Sequence, residues 1–178
     1  MTAASAWQVL LDAAGIAEVI ERLAAEIRAG LPEGVPIALI GIRSRGEVIA
    51  RRLIRQLEGT GVGPIDHGTL DITLYRDDLA EIGPQARVRG TEIEFDLSGR
   101  CIILVDDVLY TGRSVRAAMD ALVDLGRPQA IRLAVLIDRP GRELPIQADF
   151  VGLRFSEPGV PVTVLLTESD GIDEVRIG

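Results

Sequence analysis

Two adjacent carboxylates, Asp106 and Asp107, follow the apolar run Cys101-Ile102-Ile103-Leu104-Val105, and Thr111-Gly112-Arg113-Ser114 comes a few residues later. The two halves suit different partners. Carboxylates accept hydrogen bonds from the vicinal hydroxyls of a sugar and hold a hydrated magnesium ion directly or through water. Thr-Gly-Arg-Ser offers hydroxyls, a glycine that permits close backbone approach and, where it opens a helix, free amides that bind phosphate. A diol beside a phosphate describes a ribose phosphate. From the residues alone a plainer account stays open, in which the acids merely end a strand and Ser114 is an ordinary helix N-cap.

Other clusters carry less. Arg43-Ser44-Arg45-Gly46 is a basic turn after an apolar run and reads equally as a solvated surface loop. His67 stands beside a turn with no Cys or second His to complete a metal site, which marks it as structural. Asp170-Gly171-Ile172-Asp173 lacks the length and ligand spacing of a calcium loop and reads as a turn. Gly61-Val62-Gly63 is not a dinucleotide fingerprint, because Asp66 takes the third glycine's position.

The chain has 178 residues, 47% of them apolar, which suits one domain with a substantial core. Its net charge of -8 weakens non-specific attraction to nucleic acid unless arginines cluster on one face. Lysine is absent, so Schiff-base chemistry and a P-loop lysine are excluded. Cys101 is the one cysteine; it reads as a buried core residue and fits a reducing compartment. No leader pattern opens the sequence and no apolar run approaches membrane-spanning length, so a soluble, cytoplasmic protein with no membrane partner is expected.

The elements that must position these residues follow from periodicity. Ile16, Val19, Ile20, Leu23 and Ile27 recur at helical spacing, predicting a helix over 13–29 that Gly30 and Pro32 stop. A buried strand over 36–41, a loop over 43–46 and a helix over 48–57 follow. A turn at 59–64 then leads to a strand over 65–74. Residues 75–99 lack a sustained period and carry many charges, as an active-site lid would. A strand over 101–105, a helix over 114–125 and a strand over 131–137 come next. Turns rich in proline and glycine then lead to a last strand at 162–166. This alternation predicts an α/β fold with a mainly parallel sheet flanked by helices. Ligands bind such sheets beyond the carboxyl ends of the strands, where residues 43–46, 75 onward and 106–114 all fall.

Val105 to Ser114 resembles the phosphoribosyl pyrophosphate motif of type I phosphoribosyltransferases: an apolar strand, two acids and a Thr-Gly-x-Ser/Thr loop. Its variant Asp-Asp-Val-Leu-Tyr-Thr-Gly-Arg is similar to that of the PyrR family, pyrimidine-operon attenuation proteins that are also uracil phosphoribosyltransferases. Purine members usually carry an acid where Tyr110 stands, and dedicated uracil enzymes usually lack the paired acids. Gly41 to Gly46, Asp71 to Leu79, Met119 to Leu122 and Arg142 to Ile146 also look like PyrR segments in PyrR order, so the likeness covers roughly residues 37–152.

The resemblance implies the type I fold in a single domain over 1–178, with a small hood formed by the chain's two ends and a flexible active-site loop. It implies that Asp106 and Asp107 meet the ribose hydroxyls and magnesium, through water or directly. Val108, Leu109, Tyr110, Thr111, Gly112, Arg113 and Ser114 would complete the phosphoribosyl pyrophosphate site. Arg43, Ser44, Arg45 and Gly46 would be its pyrophosphate loop, acting through backbone amides and arginine. Arg76 and Asp77 would begin the mobile loop, with Arg76, Asp106 and Asp107 as the catalytic set. Ile137, Asp138 and Arg139 would lie where the base binds. The implied reaction forms UMP and pyrophosphate from uracil and phosphoribosyl pyrophosphate, and the implied assembly is a homodimer or tetramer.

The likeness breaks on the face that serves RNA in the family. Family members typically carry Thr-Arg and a nearby His in the first helix, His-Arg before Glu-Leu-Pro, an Arg after Pro-Ile and a Lys-containing loop near the end. Here stand Glu21-Arg22 and Ala25, Gly141-Arg142, Gln147, and Leu153 after Gly152. Lost cations weaken phosphate contacts and acids repel them. Three roles are therefore set against one another: a uracil phosphoribosyltransferase, an attenuator that binds a messenger leader RNA, and a nucleotide sensor without turnover.

Overall fold

The apolar runs become strands of one parallel sheet in the computed structural model, which describes residues 7–77 and 90–178. In chain order the elements are β1 (Gln8–Leu11), α1 (Ala13–Gly30), β2 (Ile37–Ile42), α2 (Arg45–Leu57), β3 (Ile65–Leu70), β4 (Cys101–Leu109) and α3 (Arg113–Leu125), with a 3-10 turn at Thr73–Tyr75. β5 (Ala130–Asp138), β6 (Phe150–Arg154), β7 (Val162–Leu165), α4 (Thr167–Asp170) and β8 (Glu174–Ile177) follow. The main sheet has the order β3-β2-β4-β5-β6, every neighbouring pair parallel. A second, antiparallel sheet, the hood, has the order β1-β8-β7.

Side chains alternate along the central strands. Leu39, Ile103 and Val105 enter the core built with α1 and α2, while Ala38, Ile40, Ile102 and Leu104 enter the core built with α3. Helices cover both faces, so β2 and residues 101–105 of β4 are apolar throughout. Asp12 starts α1, its carboxylate accepting the Gly15 N–H at 2.8 Å. Val164, Leu166, Val175 and Ile177 carry the hood into the core of α1 and α2. Because the main strands are parallel, the segments after β2, β3, β4 and β5 converge on one edge.

Several boundaries differ from expectation. α2 begins at Arg45, so Arg45 and Gly46 form its first turn and only Arg43 and Ser44 remain as loop. β3 ends at Leu70 because the Asp71 carboxylate accepts both the Thr73 N–H at 2.9 Å and the Thr73 hydroxyl at 2.5 Å, tightening the chain into a turn. β4 runs on through Asp106 and Asp107, since β5 supplies ladder partners as far as Asp138 opposite Leu109. β1, β6 and β8 were not anticipated. Residues 78–89 of the expected lid lie outside the described residues. Cys101 is buried, and burial pushes its thiol pKa up. His67 is half-buried in β3, its pKa lowered by the same cause. Among the described residues no cluster of three His, Cys, Asp or Glu can hold a metal, and no helix is long and apolar enough to cross a membrane.

Ion pairs pin the hood to α2. Arg52 donates to Glu168 at 3.0 Å and to both oxygens of Asp173 at 2.8 Å, holding the Asp173 carboxyl down to about 2. With the folded value below the ordinary 3.8, the stabilisation is present above that pH and is lost as pH falls through about 2. Arg52→Met is expected to destabilise the chain by about 1 kcal/mol at neutral pH, because the pairs are partly exposed and screened by solvent. In urea denaturation that gap should hold down to about pH 4 and narrow from there toward pH 2 as Asp173 protonates. An undiminished gap would contradict the assignment.

Candidate active site

A cleft of about 280 Å³ opens where the main-sheet strands end, lined by Arg43, Ser44, Arg45, Asp71, Thr73, Arg76, Asp106, Asp107, Val108 and Ser114. A neighbouring hollow of about 140 Å³ shares Asp106, Val108 and Ser114 and is completed by Leu109, Tyr110, Thr111 and Gly112. The acids thus stand between the basic loop after β2 and the loop that opens α3. Gly112 adopts φ 92°, a left-handed conformation that glycine favours, and Arg113 N–H donates to the Thr111 hydroxyl at 3.3 Å.

Close backbone packing sets this arrangement. A Cβ on Gly46 would lie 2.4 Å from the Val105 carbonyl oxygen, and one on Gly41 would lie 2.3 Å from Glu47 Cα. Bare glycines let the first turn of α2 lie against the acidic end of β4. Asp106 Oδ1 accepts the Asp107 N–H at 2.9 Å and Asp107 Oδ1 accepts the Val108 N–H at 2.8 Å. Neither carboxylate has a salt-bridge partner among the described residues. Burial raises both pKa values; Asp106 is raised furthest, because the Asp107 charge adds to burial, whereas the Val108 N–H, the Asp106 side chain and then Arg45 oppose the rise at Asp107.

Both arginines of the basic loop have carboxylate partners. Arg43, joined to Ser44 by a cis peptide, pairs with Glu92 at 2.8 Å and Glu47 at 3.3 Å and donates to the Thr69 hydroxyl at 2.9 Å. Arg45 holds Asp170 of α4 through Nε at 3.2 Å and Nη2 at 2.9 Å. Arg76 reaches the cleft from the segment after β3, and the next residue, Asp77, is anchored by Arg113 at 2.8 Å and by Arg116.

The segment expected to meet a base reaches the same edge of the sheet yet lines neither hollow. Ile137 is wholly buried. The Arg139 N–H donates to the Leu109 carbonyl at 3.1 Å, and the Asp138 carbonyl accepts the Phe155 N–H at 2.8 Å. The Asp138 carboxylate receives Arg142 at 2.6 Å and Arg154 at 3.1 Å. The Arg139 guanidinium lies 4.1 Å over the Tyr110 ring, a cation–π contact. A Cβ on Gly141 would lie 2.1 Å from that ring, so glycine there gives Tyr110 its place.

Asp71, Thr73 and Asp170 were not anticipated at the site. Asp71 and Thr73 follow directly on β3, a position its carboxyl end marks in advance; the contact between Asp170 and Arg45 has no local signal.

The phosphoribosyl transferase domain family matches residues 6–165. Relatives named "Bifunctional protein PyrR" include one from Roseiflexus sp., 56% identical over 146 residues, covering 80% of this chain and 78% of that one. Another, from Chloroflexus aurantiacus, is 51% identical over 175 residues, covering 94% and 93%. A third, from Akkermansia muciniphila, is 45% identical over 170 residues, covering 96% and 95%. Among solved structures, a hypoxanthine phosphoribosyltransferase of Trypanosoma cruzi superposes with a TM-score of 0.72 at 22% identity, covering 95% of this chain and 93% of that one. A hypoxanthine-guanine phosphoribosyltransferase of Bacillus anthracis gives 0.71 at 18% identity, covering 96% and 98%.

Proposed function

The chain belongs to the phosphoribosyl transferase family and, within it, to the PyrR proteins, and on that footing we propose that it makes UMP and pyrophosphate from uracil and phosphoribosyl pyrophosphate. Its architecture is the type I phosphoribosyltransferase fold. What supports the reading most is the placement of Asp106, which lines both hollows, with Asp107 beside it in the one walled by the basic loop and Thr111, Gly112 and Ser114 in the other. That order matches the substrate's own: diphosphate, ribose, 5′-phosphate. In this reading Arg43, Ser44, Arg45 and Gly46 take the diphosphate. Asp106 and Asp107 take the ribose hydroxyls, and Val108 to Ser114 take the 5′-phosphate. The base lies toward Ile137, Asp138 and Arg139 at the same edge of the sheet; the Asp138 carbonyl and Arg139 amide are already bonded within the protein.

Two carboxylates with no salt-bridge partner fit a hard, hydrated divalent cation, whose other ligands would be water and substrate oxygens. Asp106 and Asp107 would hold magnesium, which when bound supplies charge neutralisation at the departing diphosphate. The residues of the chain hold the sugar and the base in line for displacement at the anomeric carbon, so no covalent nucleophile is required. Arg76 and Arg45 face the cleft where negative charge grows on the leaving group, and such interactions strengthen in the transition state. We read 1–178 as one domain because the hood shares its core with α1 and α2.

Calorimetric titration tests the base and phosphate assignments together. UMP is expected to bind at least about tenfold, or 1.4 kcal/mol, more tightly than GMP. Equal affinities would remove the pyrimidine assignment. The relatives' name, bifunctional, taken with the resemblance to PyrR attenuation proteins, favours a second reading in which a messenger leader RNA also binds. Arg142 and Arg154 both fold onto Asp138, which leaves less positive charge for phosphate. A gel shift with the organism's own pyrimidine leader at physiological salt should show weak retention; tight, UMP-dependent retention would establish the second reading.

A further inference from the structure

The hood reaches the cleft through one side chain that the reading above leaves unused. Asp170 ends α4, the single turn between β7 and β8, and its carboxylate grips the guanidinium of Arg45 on two nitrogens, 3.2 Å from Nε and 2.9 Å from Nη2. The same carboxylate accepts the Leu166 N–H at 2.9 Å, so it is fixed to the hood backbone rather than free to swing. Arg52, one helical face further along α2, clamps Glu168 and Asp173 on either side of Asp170. The short segment is therefore held at both flanks by α2. The contact itself is only partly exposed, with Arg45 at 33% and Asp170 at 19% side-chain accessibility.

A guanidinium is a planar fork, and a carboxylate that engages Nε and Nη2 fixes its plane while leaving Nη1 to donate elsewhere. Arg45 lines the cleft beside Asp107, where the diphosphate of the substrate is read to lie. From this geometry we infer that Asp170 is a positioning residue: it holds the Arg45 guanidinium in the plane that presents Nη1 to the diphosphate. The inference rests on the diphosphate reading of residues 43–46. It makes the hood part of the diphosphate site, though no hood residue touches that ligand. An arginine held in advance gives up less side-chain freedom on binding than one that must be ordered by the ligand.

The role separates two ligands. Phosphoribosyl pyrophosphate carries a diphosphate to Arg45, whereas UMP brings only the 5′-phosphate at the other hollow. Asp170→Asn is therefore expected to weaken phosphoribosyl pyrophosphate binding in magnesium buffer by about tenfold. UMP affinity should change less than about twofold, and kcat/KM for phosphoribosyl pyrophosphate should fall by at least as much as its affinity, because Arg45 also meets the charge that grows on the leaving group. In an Arg45→Gln background the same change should add nothing, because Asp170 acts only through Arg45. Calorimetry on all four chains reads these outcomes. Equal phosphoribosyl pyrophosphate affinity in wild type and Asp170→Asn overturns the inference, as does a parallel loss of UMP, or losses that add across the double variant. If the wild-type chain binds UMP but not phosphoribosyl pyrophosphate, the diphosphate reading of the loop falls first and the inference falls with it.

Discussion

Replacing Asp107 by asparagine is expected to lower turnover by about a hundred- to a thousand-fold while making the folded chain more stable. The two effects share one cause. Asp107 is a half-buried carboxylate beside the buried Asp106, so its ionised form is disfavoured by burial, and its charge raises the pKa of Asp106. Asparagine keeps an acceptor for the Val108 N–H but removes the charge. In the proposed reading turnover falls because the sugar hydroxyls and magnesium would lose an anionic ligand.

The pH dependence gives the same variant a second readout. Both folded-state pKa values lie above the ordinary carboxyl value of 3.8, so the wild-type chain loses stability as pH rises through that range. The variant escapes part of this loss. Its melting temperature should exceed that of the wild type by a few degrees at neutral pH, at about 2–4 °C per kcal/mol for a chain of this size. The difference should shrink as pH falls toward 3.8. Undiminished turnover, or a lower melting temperature at neutral pH, would contradict the role given to Asp107.

Gly46→Ala should be nearly as damaging for a different reason. Alanine favours a helix over glycine by about 0.5–1 kcal/mol, so propensity alone predicts a gain. The new methyl, however, would stand 2.4 Å from the Val105 carbonyl oxygen and 3.2 Å from Asp106 Cα, and both neighbours are backbone in the central strand. Neither can turn aside, so the first turn of α2 must move away from β4. Overpacking of this kind costs about 1–3 kcal/mol. The same shift carries Arg45 away from Asp107, and a misplacement near 1 Å lowers kcat/KM by about a hundredfold. Thermal melts and steady-state kinetics measure both effects. A variant with wild-type melting temperature and kcat/KM would show that the close approach of α2 to β4 is dispensable.

The parallel sheet and the place of its site were legible because they depend on local pattern. Continuous apolar runs gave β2 and β4, 3.6-residue spacing gave α1 and α3, and the acids stood at the carboxyl end of a strand. The type I fold and the PyrR relationship, expected from Val105 to Ser114 and the flanking segments, agree with the family match and the relatives. What escaped depends on partners distant in sequence. β8 becomes a strand because β1 and β7 pair on either side of it, and β6 carries Gly152, where a Cβ would lie 2.5 Å from the Leu136 carbonyl. Asp170 and Asp173, read as an ordinary turn, do precede and follow Gly171 at φ 77°, yet their carboxylates are bound by arginines more than a hundred residues earlier. The bonds that occupy the Arg139 amide and Asp138 carbonyl likewise arise from long-range contacts with Leu109 and Phe155.

Transfer of the phosphoribosyl group to uracil is read out by incubating the full chain with radiolabelled uracil, phosphoribosyl pyrophosphate and magnesium and separating the products. Labelled UMP should accumulate with turnover, and Asp107→Asn should abolish nearly all of it. Absence of labelled UMP from a wild-type chain that still binds UMP would contradict the claim and leave a nucleotide sensor in its place.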